Sequence, residues 1–205
     1  MTRAVPLAPV PGSRMVRVTT SDASHTVFAP GISLSGPGIR LREWTDEDLP
    51  AMVRLFDEPQ VDRWTPLRSP FTFEAAQAYL ARGREGRAAG LRIHLAIAGE
   101  DGSPRGEVLL FRTSAADPDA ELGYVIGAEH RGQGLAARAV RLMTGYAYDT
   151  LAMSRVLLRI APGNEASAAV ARAAGFRLTD DEPVVRDRGD GTVTLLTWCH
   201  RRAAA

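Results

Sequence analysis

The chain has 205 residues, 45% of them hydrophobic and 24% charged, with a formal net charge of +1. That make-up fits one folded domain with room for a sizeable core, and it offers no global positive field to meet nucleic-acid phosphates. Every member of the Lys+Arg total of 25 is arginine, so Schiff-base chemistry and a Walker A phosphate lysine are both excluded.

The single cysteine, Cys199, cannot close an internal disulfide, which points to the reducing cytosol. Within the apolar run TVTLLTWC it reads as a buried structural thiol. No apolar stretch approaches the roughly 20 residues of a membrane span. The histidines His25, His94, His130 and His200 are scattered without ligand spacing, so no metal site is expected.

Residues 1–37 are rich in Pro, Gly, Ser and Thr and read as an arm, partly disordered or adding one extra strand through HTVFAPGISL. A single domain is expected over residues 38–205. Alternation in GIRLREW predicts a strand over 38–44. TDEDLPAMVRLF follows as a helix, with Thr45 and Asp48 as a near capping box and Leu49, Met52, Val53 and Phe56 on its core face. DEPQVDRWTPLRSP reads as a loop, and TFEAAQAYLARG as a second helix capped by Thr72 and ended by Gly83 and Gly86. LRIHLAIA and GEVLLFRT, joined by GEDGSPR, form a predicted hairpin, and AELGYVIG is a further strand. After a glycine-containing turn comes a helix over 134–149, then the apolar strand RVLLRI, a short helix in NEASAAVARAAGF, an acidic loop over 179–191 and a final strand in TVTLLTWCHR. The order predicts a mixed α+β fold: a mostly antiparallel central sheet with one right-handed parallel β-α-β crossover between YVI and VLLRI.

The turn EHRGQGLAARA carries the chemistry. Glycines that open a helix let an anion approach free N–H groups at the positive end of the helix dipole. Gly132, Gly134 and Ala137 also satisfy G-x-G-x-x-A, a dinucleotide fingerprint. That reading lacks its ribose-binding acid, because RVLLRIAPGN offers only Arg159 near the required place.

Arg131-Gly132-Gln133-Gly134-Leu135-Ala136 fits the loop [QR]-x-x-G-x-[GA] residue for residue. With the lead-in AELGYVIGAEHRGQGLA, the later RVLLRIAPGNEASAAVARAAGF and the opening IRLREWTDEDLP, the chain resembles the GNAT superfamily of acyl-CoA-dependent N-acyltransferases, in its RimJ/RimL-like branch. The resemblance runs from about residue 38 to the end. It implies helices on both faces of the sheet, and acetyl-CoA lying between two splayed parallel strands. Residues 131–136 would hold the pyrophosphate through their N–H groups, and the backbone of Tyr124, Val125 and Ile126 would hold the pantetheine arm. Asn164 would contact the pantetheine amides.

The same resemblance makes Glu121 the candidate base and Ser167 the candidate proton donor, since Ala171 stands where many family members carry a Tyr. An N–H near Val125 or Ile126 would meet the oxyanion. The acceptor would be a primary amine, on a protein N-terminus or a small molecule, between the acidic loops containing Asp57, Glu58 and Asp62 and Asp180, Asp181 and Glu182, with Trp64 as a wall. A homodimer is compatible with this reading, and the single cysteine makes the cytoplasm the expected compartment. A non-catalytic acyl-CoA-binding module and an NAD(P)-binding protein remain the alternatives.

Overall fold

The computed structural model describes residues 28–202, apart from 115, 189 and 190. Much of the predicted arm therefore lies outside the described residues. One sheet organises the rest, in the order β1-β2-β3-β4-β5-β6-β9-β7, with β8 pairing β9 to one side. Its strands are β1 (Ser33–Gly36), β2 (Ile39–Glu43), β3 (Arg92–Ala98), β4 (Pro104–Phe111), β5 (Asp119–Ile126), β6 (Arg155–Ile160), β7 (Arg177–Leu178), β8 (Val184–Asp187) and β9 (Thr192–Arg201). Every pairing is antiparallel except β5 with β6. This is the mixed sheet that the sequence predicts, and its order is not that of a doubly wound dinucleotide fold.

Five helices cover the two faces: α1 (Leu49–Phe56), α2 (Pro59–Trp64), α3 (Phe73–Ala88), α4 (Leu135–Asp149) and α5 (Glu165–Ala173). One face packs against α4 and α5. Leu41, Ile93, Leu95, Val108, Leu110, Leu122, Val156 and Leu158 meet Ala139, Val140 and Met143 there. The other face packs against α1 and α3 through Trp44, Met52, Phe56, Phe71, Ala76 and Leu80. Because both sides of β3 are covered, all of its residues after Arg92 are buried.

Phe28 and Ile32, from the segment read as an arm, are buried in the α4-side core, and β1 pairs with β2. Asp48 closes the turn before α1. Its carboxylate accepts the Thr45 N–H at 2.9 Å and the Arg42 guanidinium at 2.6 and 2.9 Å. Burial pushes that carboxyl up, but these hydrogen bonds outweigh it and hold it below the usual carboxylate range.

Three expectations change. Leu55 rather than Val53 completes the buried face of α1, Val53 being only partly covered. The loop over 57–70 contains α2, a six-residue helix with Pro59 in its first turn, too short for its periodicity to show. Finally, α3 runs through Gly83 and Gly86 to Ala88. A Cβ at Gly83 would sit 3.4 Å from the His94 ring, and one at Gly86 would sit 3.0 Å from Arg92. Both glycines thus serve close packing onto β3 instead of stopping the helix. The predicted acidic loop over 179–191 also folds in part, as β8 pairing with β9.

Candidate active site

The one parallel pair is also the one incomplete pair. β5 and β6 stay in register from Asp119↔Arg155 to Leu122↔Leu158 and then part. Beyond that point β5 remains bonded to β4 as far as Gly106↔Ile126, and β6 to β9 as far as Ile160↔Leu196. A wedge opens between them. Along β5 the ladder bonds alternate in direction. The Gly127 N–H donates to the Arg105 carbonyl at 3.0 Å on the β4 side. In the same register Val125 also turns its backbone groups toward β4, opposite Glu107. Tyr124 and Ile126 turn theirs toward the wedge. The Val125 backbone is therefore turned away from the predicted pantetheine path, and only its side chain, facing the α1–α3 side, borders the site.

The glycine loop closes the wide end of the wedge. Gly132 and Gly134 have φ of +75° and +71°, with nothing within 4 Å of where a Cβ would stand. The left-handed backbone, not crowding, requires glycine there. Gly134 is the N-cap of α4 and brings no side chain to cap it. The first intrahelical bond runs from the Arg138 N–H to the Gly134 carbonyl at 3.2 Å, so the N–H groups before it point out of the helix end. Leu135 and Ala136 anchor this turn in the core.

Arg131 turns back from the loop, donating from Nε to the Ile126 carbonyl at 3.0 Å and pairing with Glu58. Glu58 also accepts the Ala128 N–H at 2.7 Å. The Gln133 side chain reaches the Glu129 carbonyl at 3.4 Å, and Arg138 donates to the Gln133 carbonyl at 2.9 Å and to the Pro37 carbonyl at 2.7 Å. Sequence reading missed Glu58 and Arg138 as loop supports. Arg138 could have been suspected, four residues after the capping glycine; nothing local marks Glu58.

On the α4–α5 side, Asn164 caps α5 by accepting the Ser167 N–H at Oδ1, 3.1 Å. The Tyr124 hydroxyl donates to the Ser167 carbonyl at 3.4 Å. Burial pushes that phenol up to about 12, so it stays a donor at physiological pH. Tyr124, Asn164 and Ser167 thus meet at one flank of the wedge. Ala171, behind them, is fully buried.

Glu121 points to the opposite face. Arg186 grips it bidentately at 2.8 and 2.6 Å, and the Arg159 Nε lies 3.8 Å away. Each Glu121 oxygen so accepts one guanidinium hydrogen bond and keeps lone-pair capacity for a second. On the same face Glu107 is fully buried, accepting the Trp44 indole N–H at 2.9 Å and the Tyr79 hydroxyl at 2.6 Å, with His94 Nδ1 at 3.5 Å. Burial and the Glu107 charge push the Tyr79 phenol well above its usual range.

The acids of the first loop expected near the acceptor are engaged within the protein, whereas Asp180, Asp181 and Glu182 lie exposed. Asp57 accepts from the Ser69 hydroxyl and the Phe71 N–H, Glu58 holds Arg131, and Asp62 lies 3.5 Å from Arg68. Trp64 lies under the Arg63 guanidinium at 4.6 Å and bonds Gln60. Cys199 is buried, which raises its thiol pKa. Among the described residues there is no group of three or more His, Cys, Asp or Glu that could hold a metal, and no helix long and apolar enough to cross a membrane.

Known proteins share this fold. The Bacillus subtilis (strain 168) protein named as a ribosomal N-acetyltransferase, YdaF, is 38% identical over 76 residues, which are 37% of this chain; the match spans 42% of that relative's length. A Vibrio cholerae structure described as a ribosomal-protein-serine acetyltransferase superposes with a TM-score of 0.73 at 16% identity, covering 84% of this chain and 99% of the other. Mycobacterium smegmatis RimJ, solved with CoA-disulfide, gives 0.69 at 22% identity, covering 83% and 86%. Residues 39–177 match the acetyltransferase (GNAT) domain, well over half of the sequence. The chain belongs to the GNAT acetyltransferase family.

Proposed function

We propose that this protein is an acetyl-CoA-dependent N-acetyltransferase that moves an acetyl group onto a primary amine by direct attack in a ternary complex. The observation that carries this reading is the parting of β5 and β6 beside the glycine loop that opens α4. An exposed strand edge can pair with the amides of a pantetheine arm, and a helix N-terminus suits a pyrophosphate. The residues fit: Gly132, Gly134 and the first turn of α4 would hold the phosphates, Tyr124 and Ile126 the arm, and Asn164 the amides beside Ser167. Bound there, acetyl-CoA supplies the acetyl thioester.

The Tyr124 N–H, the wedge-facing amide nearest Glu121 in the chain, would stabilise the oxyanion. Glu121, on the acceptor side, takes the amine proton directly or through a water. Ser167, on the other flank, donates to the leaving thiolate. An α-amine costs about 1 kcal/mol to deprotonate at pH 7 and a lysine about 4.6, so a modest base suffices for an α-amine. The name of the Bacillus subtilis relative supports a ribosomal protein as acceptor, of which an N-terminal α-amine is the form favoured here; a small-molecule amine is the second form. The buried single cysteine supports a cytoplasmic setting.

The test is coenzyme A release from acetyl-CoA, read with a thiol reagent, against a panel of α-amines, alongside thermal denaturation with and without coenzyme A. A rise in melting temperature and amine-stimulated release are expected. Binding without release for any amine would leave only the non-catalytic acyl-CoA module.

A further inference from the structure

The acceptor side of the wedge is richer in arginine than its loops suggested. Arg159 is the first residue of β6 beyond its last pairing with β5, so it stands where the two strands part. It shares the α1–α3 face with Glu121. One guanidinium nitrogen reaches the Thr197 hydroxyl, while its Nε–H is buried and has no hydrogen-bond acceptor among the described residues. Arg186 comes from β8, across the same face, and lies over the Phe111 ring at 5.8 Å. Two guanidinium groups therefore converge on one carboxylate. Nearby, Arg188 is tied to the carbonyls of Asp62 and Arg63, and its Nε–H is likewise buried without an acceptor among the described residues.

Arg159 is paired in charge with Glu121, 3.8 Å away, but its Nε–H makes no hydrogen bond, and a buried donor without one is unfavourable. A second cation brought beside Arg159 and Arg186 would add repulsion. Both difficulties vanish if the incoming molecule is an anion. We infer that the acceptor carries a carboxylate close to its reacting amine, and that Arg159, with Arg186, is the group that reads it. This rests on the acetyl-transfer reading and narrows it. The chemistry is shared by two sources: a free α-amino acid with its own carboxylate, and a peptide N-terminus beginning with an acidic side chain. The same positive surroundings help the reaction, since neighbouring cations favour the neutral, nucleophilic form of the amine.

The test compares acceptors with and without that carboxylate, with each kcat/KM referred to the neutral-amine fraction because the carboxylate raises the amine's own pKa: an α-amino acid against its amide, and Asp-Ala-Ala-amide against Asn-Ala-Ala-amide. The carboxylate form of at least one pair should be preferred in kcat/KM by about tenfold or more, the size of one charge-assisted hydrogen bond. Which pair shows it names the source. The preference should shrink with added salt and fall towards one in Arg159→Gln. Equal or better use of the amide and Asn forms by the unaltered protein would overturn the inference while leaving acetyl transfer intact. A preference that survives both Arg159→Gln and Arg186→Gln would overturn the assignment to these residues. No release with any amine would sink acetyl transfer and this inference with it.

Discussion

β5 has two unlike edges. Toward β4 it is bonded from Glu121 to Ile126, and the polar side chain on that side, Glu107, is fully buried among neutral donors from Trp44 and Tyr79. Toward β6 the bonding stops at Leu122, and Glu121 keeps side-chain exposure of 14% while two arginines hold it from across the sheet. Both glutamates leave the same face, and Glu107 sits opposite Val125, four residues from Glu121. The difference teaches a division of labour. The closed edge spends its carboxylate on holding α3 and the residue after β2 to the sheet, and the open edge leaves one partly exposed and held by arginines.

The largest effect should come from the open edge. Glu121→Gln keeps the shape but cannot take a proton, and should lower kcat/KM for amine acetylation by about 10²–10⁴ per folded molecule, with some fall in melting temperature from the broken pairing with Arg186. A large fall in melting temperature with activity per folded molecule preserved would reverse the assignment of the two carboxylates. Glu107→Gln should do the opposite. It turns an NH2 group toward Trp44 or Tyr79, leaves a buried donor unmatched, and should cost about 1–3 kcal/mol in a denaturant titration, with coenzyme A still bound.

Smaller effects should report on the wedge's wide end. Gly134→Ala meets no crowding but must hold φ near +71°, at a cost of about 1–2 kcal/mol. By calorimetry, coenzyme A affinity should drop about tenfold, with little change in the acceptor KM. The smallest change is Glu58→Gln, which loosens the tie to Arg131 and Ala128. As a partly exposed ion pair it should shift coenzyme A affinity by about threefold, under 1 kcal/mol. A hundredfold loss there would make Glu58 part of the phosphate site instead of its support.

The strands were legible because alternation is a local signal, and the loop was legible because left-handed backbone selects glycine at Gly132 and Gly134. The capping of α5 by Asn164 could be read from type and spacing. What escaped was non-local. Glu121 finds Arg186 at a separation of 65 residues, and nothing in GEVLLFRT says that its glutamate will be fully buried and matched by Trp44, 63 residues away. β8 was hidden because VVRD is short and alternates at an edge, where Val185 is exposed. The direction of the Val125 backbone groups depends on the register with β4, which sequence pattern does not set.

The bond from Arg138 to the Pro37 carbonyl has a practical meaning. It fastens the amino-terminal end of α4 to the hairpin of β1 and β2, whose first strand precedes the family match at residue 39. A chain trimmed to begin at Ile39 would discard Phe28, Ile32 and that anchoring carbonyl together. It should still fold the rest of its sheet yet, on the proposed function, grip coenzyme A less well, so residues 28–38 would serve as a splint for the proposed site, set from outside the family match.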